Sequence, residues 1–238
     1  MLSTCFIKIL PGHFLRLSYR YATAGLTVVF LLLTGCARQP VLEPLTSPVS
    51  APSQTWAWEC ERNFAFVARQ EGDAMWLFLP GQAVQLPRIK GEPGNRYHSE
   101  AIRFQHQNGK ARLELTDAIY EHCRNNVQTA AREHAKLNGV DFRATGNSPD
   151  WILDITLDGD MQLVTGADHA TLVFATPEPL ILENERKTLY TAQNKKHQII
   201  IELVGKPCRN ARTGNTRAVT VNISVDERKL KGCGGALH

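Results

Sequence analysis

The sequence has almost no excess of charge of either sign once its first 35 residues are set aside. All 238 residues carry 27 Lys and Arg against 23 Asp and Glu, a formal net charge of +4. Three basic residues, Lys8, Arg16 and Arg20, precede Cys36 with no acidic residue among them, which leaves 24 basic residues (27 less 3) against 23 acidic ones. We therefore expect no basic patch of the kind that binds nucleic acid, and no nucleic-acid partner.

The common signatures of catalysis, metal binding and phosphate binding are missing as well. The histidines form neither HExxH nor HxH, and no serine lies in a G-x-S-x-G turn. Asp154, Asp158 and Asp160 are close in sequence, but a calcium loop needs more oxygen ligands and a closing glutamate. No glycine-rich loop joins a strand to a helix. Combined with the tether, the disulfides and the β-rich pattern described below, these absences favour a binding protein over an enzyme, with no metal or other cofactor.

Long hydrophobic runs are absent. The most apolar stretch, Ala24–Leu33, has about ten residues, which is too short to span a bilayer but typical of a signal peptide. It ends in Leu33-Thr34-Gly35-Cys36, which resembles the bacterial lipoprotein box. We therefore expect a lipoprotein signal peptide at residues 1–35 and a membrane anchor of acyl chains, such as palmitate, on Cys36. The alternative is a plain signal peptide with an incidental cysteine.

The remaining cysteines agree with an oxidising compartment. Cys5 would be removed with the signal peptide, which leaves Cys60, Cys123, Cys208 and Cys233 to form two disulfides. Four cysteines allow three connectivities, and the simplest pairs them within each half of the chain. A metal site is the competing interpretation, but no CxxC pair favours it. Ala37 after the lipidated cysteine favours, by analogy with other lipoproteins, the periplasmic face of the bacterial outer membrane.

Beyond the signal peptide, composition and periodicity divide the chain into three parts. Residues 36–54 carry a proline at every fourth position, from Pro40 to Pro52, and predict an extended tether. Residues 55–123 predict a small antiparallel β-barrel, because short alternating runs are separated by turn pairs such as Pro80-Gly81 and Asn108-Gly109.

Residues 124–238 predict one helix followed by a second β-rich domain. The helix spans residues 126–138, with Asn126 as N-cap and Gly139 as its stop. Asp158-Gly159 predicts a hairpin turn between two of the strands that follow. No sequence repeat relates the two halves. Glycines 232, 234 and 235 flank Cys233 and are expected to permit a tight backbone path with positive φ at a disulfide.

Residues 58–123 resemble the MliC family, the membrane-bound inhibitors of c-type lysozyme. The resemblance is carried by an early Cys60, a Leu-x-Leu-Pro-Gly segment at 77–81, Leu86, a loop with Gly94 and Tyr97, Phe104, an Ala-x-Leu-Glu strand at 111–114 and a final Cys123. It implies an eight-stranded barrel closed by a Cys60–Cys123 bridge.

The resemblance also implies a function. Family members insert a Ser-Gly-x-x-Tyr loop into the lysozyme cleft, where the loop serine and a strand lysine meet the catalytic carboxylates. The corresponding loop here contains Pro93, Gly94, Arg96 and Tyr97, with Pro93 in place of the serine, and Gln107 stands in place of the lysine. The expected partner is a c-type lysozyme or a related peptidoglycan hydrolase, with Arg96 or Lys90 supplying the cation. The alternative is an envelope lipoprotein with a binding or structural role and no inhibitory activity.

The second half resembles an uncharacterised bacterial lipoprotein module, through Gly139-Val140-Asp141-Phe142-Arg143-Ala144-Thr145-Gly146-Asn147 to Trp151 and the closing Gly232-Cys233-Gly234-Gly235. No activity is implied by that resemblance. The residues alone favour a structural β module with Trp151 in its core.

Overall fold

The protein is mainly antiparallel β, with a barrel-like sheet, one α-helix and a second sheet. We describe it from a computed structural model, which covers residues 53–91, 95–166, 169–211 and 213–238. The predicted mainly β class, with a small antiparallel barrel followed by a short helix and a second β-rich part, is confirmed. The predicted signal peptide, Cys36 and nearly all of the predicted tether lie outside the described residues.

The first sheet has eight strands in the order β4-β3-β2-β1-β8-β7-β6-β5. The strands are β1 (Gln54–Glu59), β2 (Ala65–Glu71), β3 (Ala74–Leu79), β4 (Gln82–Pro87), β5 (Asn95–His98), β6 (Arg103–Gln107), β7 (Lys110–Glu114) and β8 (Ile119–Asn125). Gly81, Asn108 and Gly109 all have positive φ, as the predicted tight turns require. Strands β3, β6 and β7 alternate buried side chains with more exposed ones, so one face of the sheet turns inward.

This sheet curls until it is nearly closed. Its first strand pairs with its last, with Trp58 opposite Asn125. Its two edge strands, β4 and β5, meet at a bridge between Arg88 and Tyr97, and the Ile89 amide donates to the Arg96 carbonyl at 2.9 Å. We call this region the first barrel and the β4–β5 contact its seam.

The core of the first barrel is rich in aromatic side chains. The buried cluster consists of Trp58, Phe66, Ala68, Met75, Leu77, Leu79, Leu86, Tyr97, Ile102, Phe104, Ala111, Leu113 and Cys123. Burying an apolar side chain of this size stabilises a fold by about 1.5–3 kcal/mol relative to leaving it exposed. The predicted Cys60–Cys123 disulfide is present and joins the end of β1 to β8.

The helix α1 (Val127–Leu137) follows β8 directly and begins at the predicted cap. The Asn126 Oδ1 accepts from the Thr129 amide at 3.0 Å, which satisfies one of the free N–H groups of the first turn. The helix packs against β1, and the His134 ring hydrogen-bonds the Thr55 hydroxyl at 3.0 Å. On its other side the Arg132 guanidinium donates to the Ala236 carbonyl at 2.5 Å. The helix therefore contacts both β regions.

The second sheet has nine antiparallel strands in the order β12-β11-β10-β9-β19-β18-β15-β14-β13, and a separate hairpin pairs β16 with β17. Their bounds are β9 (Phe142–Asn147), β10 (Asp150–Ile155), β11 (Asp160–Thr165), β12 (Ala170–Ala175), β13 (Leu180–Leu182), β14 (Lys187–Gln193), β15 (Gln198–Val204), β16 (Cys208–Arg209), β17 (Thr216–Arg217), β18 (Val219–Val225) and β19 (Arg228–Ala236). Asp158-Gly159 lies between β10 and β11, as predicted.

The inner face of the second sheet is almost entirely aliphatic. It buries Leu153, Ile155, Met161, Leu163, Ile199, Ile201, Val221, Ile223, Val225 and Leu230, together with Trp151, Phe174 and Tyr190. The expectation that Trp151 belongs to a core is met, since its side chain is only 2% exposed. The predicted Cys208–Cys233 disulfide is present and joins β16 to β19.

The expectation of a positive φ at the glycines around Cys233 is wrong. None of the three has positive φ, and what matters is close approach. A Cβ at Gly232 would lie 2.2 Å from the Thr145 carbonyl oxygen and 2.6 Å from the Trp151 ring. A Cβ at Gly234 would lie 2.6 Å from the Phe142 ring. These glycines therefore let large rings lie directly on the strand backbone.

Candidate functional site

The segment that the sequence singled out connects β4 to β5 across the seam. Pro93 and Gly94 lie outside the described residues. The segment's ends are fixed by the Ile89–Arg96 backbone hydrogen bond and by the Arg88 guanidinium, which donates to the Asn95 side-chain oxygen at 3.3 Å. Both ends of this connection are thus held by the sheet.

Tyr97 does not lie on the surface of this segment. Its side chain is 1% exposed and lies in the barrel core, with its ring stacked near Phe104 at 6.2 Å between centroids. Burial raises the pKa of the Tyr97 hydroxyl, which has no hydrogen-bond partner. Tyr97 therefore anchors β5 from within the barrel, whereas its neighbour Arg96 is exposed.

Arg96 and Gln107 do lie together on the outside of the barrel. Arg96 is exposed on β5, where it is opposite Gln105 of β6, and Gln107 ends the same strand β6. Both line a shallow cavity of about 310 Å³, whose floor is formed by the outer face of β5, β6 and β7. We call this cavity the outer depression. Two of the residues predicted to contact a partner thus share one surface.

The outer depression also contains cations that the sequence prediction missed. Lys110 follows the Asn108-Gly109 turn and is directly opposite Gln107 in the β6–β7 register. It is exposed, and among the described residues no carboxylate lies within ion-pair distance of it. The signal that could have located it was the Asn-Gly hairpin, which fixes the pairing of its two flanking residues.

Arg112 lies on the same outer face of β7 as Lys110's neighbours in the outer depression, but its side chain already forms ion pairs. Its guanidinium pairs with Glu114 at 2.9 Å and with Glu121 at 3.2 Å. These pairs hold the side chain in place but neutralise its charge, so Arg112 adds rigidity to the outer depression more than positive potential. The cation available to a ligand is therefore Lys110, and the adjacent amide of Gln107 can donate hydrogen bonds.

On the inner face of β6, beneath the outer depression, the barrel contains a buried histidine. His106 is 7% exposed, its Nε2 atom has no partner, and its ring lies 4.5 Å from that of Trp56 between centroids. Burial, assisted by the positive charge of Arg88, lowers the pKa of His106 to about 4. The ring is therefore neutral at physiological pH. It supports β6 but does not act as a cation toward a ligand.

The described residues contain no group of three or more His, Cys, Asp or Glu side chains placed to hold a metal ion. No helix among these residues has the length and apolarity needed to cross a bilayer. The chain was compared with protein-family models, with curated proteins and with solved structures, and none of the three comparisons gave a match.

Proposed function

We propose that this protein inhibits c-type lysozyme, or a related peptidoglycan hydrolase, by covering the active-site cleft with the β4–β5 connection and the outer depression. The observation that carries the proposal is the grouping of Arg96, Gln107 and Lys110 beside that connection on a disulfide-closed barrel. The resemblance of residues 58–123 to the MliC family supports the same function.

The chemistry of the target matches this surface. A glycosidase of this type holds one carboxyl protonated and its partner ionised. Lys110 can pair with the ionised carboxylate, and the Gln107 side chain can hydrogen-bond the protonated one. In this proposal Lys110 supplies the cation that the strand lysine supplies in the family.

Rigidity favours binding by such a surface. The Cys60–Cys123 bridge, the seam hydrogen bonds and the Arg112 ion pairs fix the strands that carry the contact residues. A surface that is ordered before binding loses less conformational entropy in the complex than a flexible one.

We propose in addition that the protein is a lipoprotein anchored through Cys36 at the periplasmic face of the outer membrane. Two disulfides in the described residues support an oxidising compartment. In this location an inhibitor would meet a lysozyme before the enzyme reached the cell wall. Labelling with a radioactive fatty acid, compared between the wild type and Cys36→Ser, tests the anchor.

Inhibition is tested by adding the purified protein to a c-type lysozyme and following the clearing of a cell-wall suspension. We expect inhibition at micromolar concentration or below. Lys110→Glu should weaken it at least tenfold, because a carboxylate would then face the catalytic carboxylates. Lys229→Glu, the same charge change on the β18–β19 hairpin of the second sheet, is the matched control and should leave inhibition unchanged.

A second pair of variants tests the β4–β5 connection itself. Gly94→Trp should abolish inhibition by blocking insertion, whereas Asp158→Asn at the β10–β11 turn should have no effect. If the wild-type protein leaves lysozyme activity unchanged at micromolar concentration, the inhibitor proposal is wrong. The alternative, an envelope lipoprotein with a binding or structural role, would then be favoured.

A further inference from the structure

A second cavity, larger than the outer depression, lies on the outer face of the second sheet. It has a volume of about 430 Å³, within the range typical of pockets that bind small molecules. Its walls are helix α1, the β16–β17 hairpin and the ends of β9 to β11. We call it the helix–sheet pocket.

The floor of this pocket is mainly apolar. It is formed by one row of direct cross-strand neighbours, with one residue from each of four adjacent strands: Val164 of β11, Ile152 of β10, Thr145 of β9 and Cys233 of β19. Residues adjacent to them in sequence, such as Leu153 and Leu163, fill the core on the opposite face. Because side chains alternate along a strand, the four floor residues point away from that core and into the pocket.

The walls are held in place by polar contacts between elements distant in sequence. The Asn215 amide of the β16–β17 hairpin donates to Gln128 of α1 at 2.7 Å. The Asn147 amide of β9 donates to Asn210 at 3.0 Å. Arg143 of β9 donates to the Ala131 carbonyl of α1 at 2.8 Å. The pocket is therefore built into the fold, and a ligand would not need to open it.

The charge in the lining is positive. Arg143 is committed to Asp154 at 3.4 Å, but Arg132 and Arg217 have no carboxylate within ion-pair distance among the described residues. Burial lowers the pKa of Arg132, and the nearby charge of Arg217 lowers it further. Asp150, the one carboxylate among the described lining residues, already interacts with another residue. Two cations thus line the same pocket, and neither has an ion-pair partner among the described residues.

We propose that the helix–sheet pocket binds a small organic anion with an apolar body. Its carboxylate or phosphate group lies between Arg132 and Arg217. The planar Arg217 guanidinium can donate paired hydrogen bonds, and Arg132 can donate from the N–H groups that its bond to the Ala236 carbonyl leaves over. Its apolar body lies on Val164 and Ile152. The anion offsets the repulsion between the two arginines, and the apolar body covers a floor that is otherwise open to water.

The test uses straight-chain probes and isothermal titration calorimetry on the protein. Decanoate should bind saturably with one site per chain. Decyl phosphate is titrated in the same way, and comparing the two affinities distinguishes carboxylate from phosphate recognition. Decyltrimethylammonium has a chain of the same length and the opposite charge, and it should not bind. Acetate, which has the charge without the apolar body, should bind at least tenfold more weakly than decanoate.

Variants assign the site. Arg217→Gln should weaken decanoate binding by about tenfold or more, since it removes a charge-assisted hydrogen bond. Arg217→Lys should keep part of the affinity, because it retains the charge without the planar fork. Arg228→Gln, a control on the β18–β19 hairpin, should bind as the wild type does. Val164→Thr should weaken decanoate several-fold and leave acetate unchanged.

Three results would each overturn the proposal. The first is that neither anionic probe binds saturably, and the second is that decyltrimethylammonium binds as tightly as decanoate. The third is that Arg217→Gln binds decanoate with the wild-type affinity. Thermal unfolding of each variant by circular dichroism shows whether a loss of binding reflects a loss of structure. None of these measurements involves lysozyme, so failure here and failure of the inhibitor proposal are distinguishable.

Discussion

The first barrel and the second sheet share a strand order but differ in what they enclose. In both, three strands run as a meander away from a first strand, and that first strand pairs with the last strand of its region, β1 with β8 and β9 with β19. The first barrel closes at its seam. In the second sheet the Asn194 side-chain amide, in the turn after β14, donates to the Val173 carbonyl of the edge strand β12 at 3.0 Å.

The interiors differ more than the strand orders. Among the described residues, three buried polar atoms inside the first barrel lack a hydrogen-bond partner, namely Trp58 Nε1, Tyr97 Oη and His106 Nε2, whereas the second core has one, Trp151 Nε1. The second core is aliphatic apart from Trp151 and two other rings. Unpaired buried polar atoms cost free energy. Both regions have a disulfide, but the comparison indicates that they pack differently: the first has aromatic packing and a bridge across 63 residues, the second aliphatic packing and a bridge across 25.

The largest expected effect comes from removing the bridges. Cys60→Ser with Cys123→Ser frees a loop of 63 residues and should lower the free energy of unfolding by about 4 kcal/mol. The matched pair of substitutions, Cys208→Ser with Cys233→Ser, opens a loop of 25 residues and should lower the free energy of unfolding by about 3.5 kcal/mol. Urea unfolding followed by tryptophan fluorescence measures both. A loss below about 1 kcal/mol in the first pair would contradict the role given to its bridge.

Gly232→Ala tests the packing of the second core. The new Cβ would meet the Thr145 carbonyl at 2.2 Å, which is a backbone atom that cannot move aside alone. We expect a loss of about 3 kcal/mol, at the upper end of the usual cost of overpacking. Gly235→Ala, whose Cβ would meet nothing within 4 Å, is the control and should change stability little. Equal urea midpoints for the two variants would refute the close-packing account.

Acid should destabilise the first barrel selectively. His106 is neutral when folded, with a pKa of about 4 against an ordinary 6.5, so the unfolded chain takes up the proton first as pH falls. Stability is then lost between pH 6.5 and 4, by about 1–3 kcal/mol. His106→Phe should remove most of this loss of stability at low pH. His122→Asn, which replaces an exposed histidine, should leave it unchanged. Urea unfolding in a Trp151→Phe background reports on the first barrel through its own three tryptophans.

The smallest expected effect concerns the junction between the two regions. Asn126 caps α1 through Thr129 and also donates to Glu59 of β1 at 2.7 Å. Asn126→Ala should cost about 1 kcal/mol. Asn126→Asp keeps the cap but loses the donation to Glu59, so it separates helix stability from the contact with the first barrel. Native-state hydrogen exchange of α1 and β1 measures the two effects, and an unchanged α1 in Asn126→Ala would contradict the capping role.

Local chemistry made several elements predictable. Asn108-Gly109 fixes a hairpin because few residues accept positive φ at both positions. Asp158-Gly159 also lies in a turn between strands, but neither residue has positive φ. Asn126 and Gly139 bound the helix for equally local reasons. The shared strand order was not predictable, because it depends on hydrogen-bond pairing between distant strands and the two halves have no common sequence pattern. The positions of Lys110 and Arg217 were missed for the same reason, since each acquires its role only from neighbours on other strands.

The pairing of β9 with β19 places Phe142 directly opposite Ala236. The backbone therefore enters and leaves the second sheet at one spot, which is the arrangement that tolerates circular permutation. Joining residue 236 to residue 142 by a short glycine linker and cutting the chain at the exposed turn after Gln193 would reorder the strands without breaking the sheet. The same geometry would let this region be inserted into a surface loop of an unrelated host protein, as a cassette whose two ends already meet.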